Sequence, residues 1–149
     1  MEIMIDKYVD PIVRENCIYK MVWTILKEEN MPEDTEISIV FVNNEKIREL
    51  NHQYRGLNRP TNVLSFSMVE GMPMPFNNIL GDVAISVEYA KKEAEDLGMN
   101  IEDRIIQLLI HGTLHLVGYD HIRDDDYEKM QEREEFFFKI WKKEKDQCI

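Results

Sequence analysis

The apolar positions along this chain change their period several times, and each change marks an element. Glu2 to Asp6 alternates weakly and predicts a short strand. Asp10-Pro11 reads as an N-cap followed by a first-turn proline. The helix it opens turns Ile18, Met21, Val22, Ile25 and Leu26 inward until Asn30-Met31-Pro32 stops it. Ile37-Ser38-Ile39-Val40-Phe41-Val42 is β-rich and apolar on both faces, the mark of a central strand. Asn43-Asn44 opens a short helix with Ile47, Leu50 and Tyr54 inward. A third strand runs from Asn62 to Met68, a stretch rich in breakers and methionine follows from Glu70 to Asn78, and Leu80 to Ser86 is a fourth strand. Ser86 caps a helix with Val87, Ala90, Ala94 and Leu97 at helical spacing and Gly98 as its stop. Asn100 and Asp103 start the next helix, and a last one from Asp124 to Lys143 sets Tyr127, Met130, Phe137 and Trp141 on one face. Strands early and helices late predict an α+β fold. The expectation is one domain over residues 1–149, with a four-stranded mixed sheet packed around a buried helix.

That buried helix ends in the chemistry. His111, His115 and His121 are three of the chain's four histidines, spaced i, i+4 and i+10. On a helix His111 and His115 lie about 40° apart around the axis and roughly 6 Å apart along it. Gly118 can end the helix in a left-handed turn and let the chain double back with His121. Two histidines at this spacing also arise by chance, and a lone histidine on an apolar face is ordinarily a satisfied core residue. Here the preceding run Ile105-Ile106-Gln107-Leu108-Leu109-Ile110 is apolar nearly all round. Burying imidazoles at its end is costly unless they are paired or ligated. The reading is a three-imidazole site with an open coordination position, one Zn²⁺ per chain, with Ni²⁺, Fe²⁺ or Mn²⁺ also compatible with the ligand type.

Composition narrows the surroundings. A formal net charge of −11 excludes a protein that coats nucleic acid by bulk electrostatics, so any such site is a local basic pocket. No apolar run is long enough to span a bilayer, and the N-terminus lacks the basic region of a signal peptide. Cys17 and Cys148 show no framework spacing. Cys17 reads as a small helix residue and Cys148 as tail, which predicts a reduced, cytoplasmic setting. Phe136-Phe137-Phe138 reads as core docking rather than base stacking, and Asp124-Asp125-Asp126 as charge at a helix N-terminus rather than a second metal site.

The histidine spacing with Gly118 resembles the H-E-x-x-H-x-x-G-x-x-H signature of metzincin metalloproteases, whose glutamate is the general base. Position 112 here is glycine, which weakens the peptidase reading. The fuller pattern His111-Gly112-x-Leu114-His115-Leu116-x-Gly118-Tyr119-Asp120-His121 occurs with Tyr54-Arg55-Gly56, Pro60-Thr61-Asn62-Val63-Leu64-Ser65-Phe66 and Leu80-Gly81-Asp82. Together these resemble the YbeY family, bacterial metal-dependent endoribonucleases of ribosomal RNA maturation.

The resemblance implies a metzincin-like metal site in a single-strand-specific endoribonuclease acting on ribosomal RNA, notably the 3′ end of small-subunit RNA, and in ribosome quality control. It implies the small ribosomal subunit and its assembly factors as partners, His111, His115 and His121 as metal ligands, and Arg55 as the functionally important arginine. Arg48, Arg59 and Lys46 are candidates for a phosphate track, and His52 is a surface or packing residue. Zinc in such a site lowers the pKa of bound water to about 7 or polarises a phosphoryl oxygen, while Arg55 pairs with the scissile phosphate or, alternatively, caps its helix. Asp120 and Asp82 are candidate partners behind the ligands. Two other readings stay open: a ribosome-assembly binding module with a mainly structural metal, and a metal-dependent hydrolase of another substrate.

Overall fold

The computed structural model describes residues 1–67, 78–119 and 123–148. Four strands, β1 (Glu2–Lys7), β2 (Glu36–Val42), β3 (Val63–Ser67) and β4 (Ile79–Ser86), form one sheet in the order β1-β2-β4-β3. β1, β2 and β4 run parallel, and β3 pairs antiparallel with β4 at one edge. This is the mixed sheet that the sequence predicts. The helices are α1 (Glu15–Glu28), α2 (Asn44–Arg55), α3 (Val87–Leu97), α4 (Ile101–Val117) and α5 (Asp124–Glu144).

Alternation in the strands sorts these helices onto two faces. Ile37, Ile39 and Phe41 of β2 and Val83 and Ile85 of β4 point into the larger core, shared with α1, α3, α4 and α5. Val42, Leu64 and Ala84 point the other way and meet Ile47 of α2 in a smaller cluster. α4 packs against α1, α3, α5, β3 and β4, so it is the central helix of the molecule.

Several local expectations shift. α1 buries Cys17, Ile18, Met21, Val22, Ile25 and Leu26, but it begins at Glu15 and not after Asp10. Asp10 Oδ1 instead accepts from the Ile12 amide at 2.9 Å, and Ile12 sits at φ 68°, which breaks any helical path there. Tyr54, Leu97 and Tyr127, expected inward, are exposed: each stands in a terminal turn, beyond the apolar surface its helix covers. Tyr54 packs on Phe66, ring centroids 4.6 Å apart. Phe137 is buried as expected, whereas Phe136 is exposed beneath the Arg133 guanidinium. The acidic run Asp124–Asp126 does form the first turn of α5. Met68 and most of the segment Glu70–Asn78 lie outside the described residues.

The cysteines also depart from expectation. Cys17 and Cys148 are joined by a disulfide across a sequence separation of 131. The cause is tertiary: α5 lies along α1, tied by Arg133 to Glu29 and by Lys20 to Glu144, which sets the tail beside the first turn of α1. Spacing in the sequence carries no trace of this.

The candidate metal centre and its cleft

α4 starts at Asn100, whose side chain accepts from the Glu102 amide at 2.8 Å. Asp103, one turn in, is buried and accepts from Trp141 Nε1 (2.9 Å), Lys142 Nζ (2.9 Å) and Lys145 Nζ (3.4 Å), which pins the helix start to the end of α5. Burial pushes the Asp103 carboxyl up, but the hydrogen bonds from Lys142 and Trp141 and the lysine charges outweigh it and hold the group below the usual range.

The other end carries the histidines. Although α4 is buried along most of its length, His111 is half-buried and His115 exposed, so both imidazoles emerge on its accessible stripe. The expectation that both would be buried is thus corrected. His111 Nδ1 lies 3.5 Å from Glu134 Oε2 of α5. With Nδ1 facing a carboxylate, Nε2 is the nitrogen that would ligate a metal, as is usual for ligating histidines.

Between the two histidines, Gly112 faces the sheet. A Cβ there would meet Val83 Cγ1 at 2.6 Å, Ser65 Oγ at 3.2 Å and Val63 Cγ2 at 3.2 Å. Ser65 Oγ donates to the Gly112 carbonyl at 3.0 Å, which ties the last turns of α4 to β3. Glycine permits this close approach. The glutamate of a metzincin has no room at this position.

Gly118 then stops α4 at φ 125°, the positive φ that the sequence predicts. Its amide donates to the His115 carbonyl (3.2 Å) and the Tyr119 amide to the Leu114 carbonyl (3.0 Å), a Schellman pair. Burial first, then a hydrogen bond to Glu29, raises the Tyr119 phenol. Glu29 also receives Arg133 at 2.6 and 3.1 Å, so the exit of α4 is fixed against α1 and α5. Asp120 and His121 lie outside the described residues. Among the described residues no group of three histidine, cysteine or carboxylate side chains surrounds one point. The donor chemistry of His111 and His115 fits two positions of a transition-metal site, and His121 is the expected third.

The arginines occupy a different corner. Arg48 and Arg55 belong to α2, on the opposite face of the sheet, and Arg59 follows in the loop. Arg48 Nη1 donates to Asn58 Oδ1 at 2.7 Å and Asn51 Nδ2 to the Arg59 carbonyl at 2.9 Å, which folds the loop back on the helix. Arg55, Arg59, Lys46 and His52 are exposed. The sheet thus stands between the helix of Arg55 and the helix of the histidines. The link is the chain itself, since the loop after Gly56 leads to Asn62, which lines a cleft shared with His111.

Asp82 does not stand behind the ligands. Val83 faces α4, so Asp82 projects from the other face of the sheet, where burial and then the charge of Asp6 raise its carboxyl. The sequence reading also missed the cleft, a cavity of about 390 Å³ between α4, α5 and the start of β3. Arg104, Gln107, His111 and His115 share one face of α4 at i, i+3, i+7 and i+11. That polar stripe was visible in the sequence, whereas the contributions from α5 were not.

Fold and site together define a class: α+β proteins whose central helix ends in an accessible imidazole pair beside a polar cleft. The family model described as Endoribonuclease YbeY matches residues 6–142. The chain is 44% identical over 124 residues to an Endoribonuclease YbeY of Persephonella marina, covering 83% of this chain and 80% of that one. It is 34% identical over 143 residues to the one from Desulforamulus reducens, covering 91% and 94%. The solution structure of TM1509 from Thermotoga maritima superposes with a TM-score of 0.65 at 24% identity, covering 98% of this chain and 94% of that one. This chain belongs to the YbeY family.

Proposed function

We propose that this chain is a metal-dependent endoribonuclease that cleaves single-stranded regions of ribosomal RNA, notably at the 3′ end of the small-subunit RNA. The observation that carries the reading is the imidazole pair on the accessible stripe of a central helix, in a chain matched along most of its length by relatives named as endoribonucleases. His111, His115 and His121 would hold one Zn²⁺ or a similar ion. Such an ion supplies Lewis-acid polarisation and acidifies water. The chain's own residues do the rest. Glu134 orients the His111 ring, Gly112 lets α4 seat against the sheet, and Arg55 with Arg48 and Arg59 binds the phosphates of the strand, Arg55 stabilising charge at the scissile one.

The small ribosomal subunit and its assembly factors are the proposed partners, and the cytoplasm the proposed location. Among the described residues no helix is long and apolar enough to cross a membrane. The test uses purified protein on single-stranded and structured ribosomal RNA fragments, with and without chelator, and His111→Ala as the control for contaminating nuclease. Chelator-sensitive cleavage of the single-stranded fragments that His111→Ala lacks is the expected result. Association with the small subunit without cleavage would favour the assembly-module reading. A hydrolase of another substrate remains the third reading, but one using a glutamate base at position 112 is opposed by the wall of Val83, Ser65 and Val63.

A further inference from the structure

The cleft beside His111 is built for something other than phosphate. Its one arginine, Arg104, is held by Glu93 at 3.1 Å and by Gln107 Oε1 at 2.9 Å, so its charge is already answered. Two more carboxylates, Glu134 and Glu135, stand on the α5 wall and make the cleft acidic. Glu134 faces His111, whereas Glu135 has no ion-pair partner among the described residues. Phe138 gives the same wall a partly buried aromatic surface. Gln131 adds an amide, Asn62 is engaged by Glu93 and the Val63 amide, and Gln107, its oxygen taken by Arg104, offers its NH₂. A repelled phosphate, an aromatic wall and amide edges describe the environment of a nucleobase. The cavity of about 390 Å³ is of the size that takes one small planar group.

We propose that this cleft is a base-binding subsite and that it takes guanine. A guanine stacked on Phe138 can direct its N1–H and exocyclic amino group together at the Glu135 carboxylate and accept from the amides on its other edge. Uracil offers a single N–H, and its carbonyls face the carboxylate. The proposal rests on the endoribonuclease reading for its biological sense, though binding can be measured without cleavage. It also divides the labour of an acidic protein that handles RNA: the base enters the acidic cleft, and the backbone follows the Arg48, Arg55 and Arg59 corner.

Calorimetric titration of metal-loaded protein with guanosine and uridine 5′-monophosphates tests the subsite, alongside cleavage of oligonucleotides varied at the base next to the scissile phosphate. Guanosine monophosphate should bind at least tenfold more tightly than uridine monophosphate. Glu135→Gln, at an exposed position, should reduce that ratio about tenfold while melting like the parent. Phe138→Leu should weaken both nucleotides. Binding that follows this pattern without any cleavage would uphold the subsite and sink the nuclease reading. Cleavage indifferent to the base and unchanged by Glu135→Gln would uphold the nuclease and overturn the subsite. Displacement of neither nucleotide by an arginine-rich peptide is expected, and Glu135-dependent binding of that peptide alone would overturn it as well.

Discussion

At position 112 the helix touches the sheet through its backbone. Gly112→Ala inserts a methyl where Val83 Cγ1 already stands 2.6 Å away, and Val83 is itself fully buried. Overpacking of this kind costs about 1–3 kcal/mol, against roughly 1 kcal/mol gained in helix propensity. A net loss of up to about 2 kcal/mol in denaturant melts is the expected outcome. The displaced turn should also lower metal content, because it carries both imidazoles. Arg55 answers to a different measurement. It is exposed at the end of α2, so Arg55→Ala should melt like the parent while losing one to three orders of magnitude in RNA cleavage. Arg55→Lys should recover little, since an ammonium lacks the bidentate fork. Wild-type cleavage by the alanine variant, with small-subunit association lost, would move Arg55 to a docking surface.

Among the elements, α4 and α5 depend on one carboxylate. The Asp103 carboxyl titrates below its ordinary value of about 3.9 because Lys142 and Trp141 bond to its charged form. A depressed folded-state pKa stabilises fully above the unfolded value and fades as pH falls through the folded one. Asp103→Asn should therefore cost about 1–3 kcal/mol at neutral pH, and its gap from wild type in thermal melts should close below about pH 4. A gap that persisted at pH 2 would mean that packing, not charge, holds the joint. The apolar period showed which residues of α1 face the core, because Ile18, Met21, Val22, Ile25 and Leu26 meet several elements at once. It failed at helix ends such as Tyr54 and Leu97, where periodicity continues past the surface it would bury. The histidine pair and the Gly118 stop were legible because they are local. Glu134 and the cysteine bond were not, since α5 reaches α4 and α1 only through tertiary packing. Asp82, a candidate partner behind the ligands, projects from the face opposite α4, because alternation along β4 orders the faces without saying which one α4 covers.

For the molecule as a whole, charge and metal set the remaining expectations. With a net charge of −11 and the three arginines proposed to bind phosphates, log affinity for single-stranded RNA should fall with log salt at a slope of about −2. A slope several times steeper would require a basic surface beyond the Arg48, Arg55 and Arg59 corner. The proposed ion, if held by His111, His115 and His121, would add to folding stability. Chelation should lower the thermal midpoint, and His115→Ala should abolish the difference. Equal midpoints with and without chelator would mean that the ion leaves the fold untouched.

The contact at Gly112 also bears on what this scaffold can become. A spacing of histidines that elsewhere serves peptide hydrolysis is here bolted to a wall of valine and serine, and no single replacement supplies the missing base. A designer seeking that activity would have to hollow out Val83 and shorten Val63 before introducing an acid at 112, and would pass through variants with a hole in the core. Drift toward peptidase chemistry is closed to one-step change by the packing of the sheet.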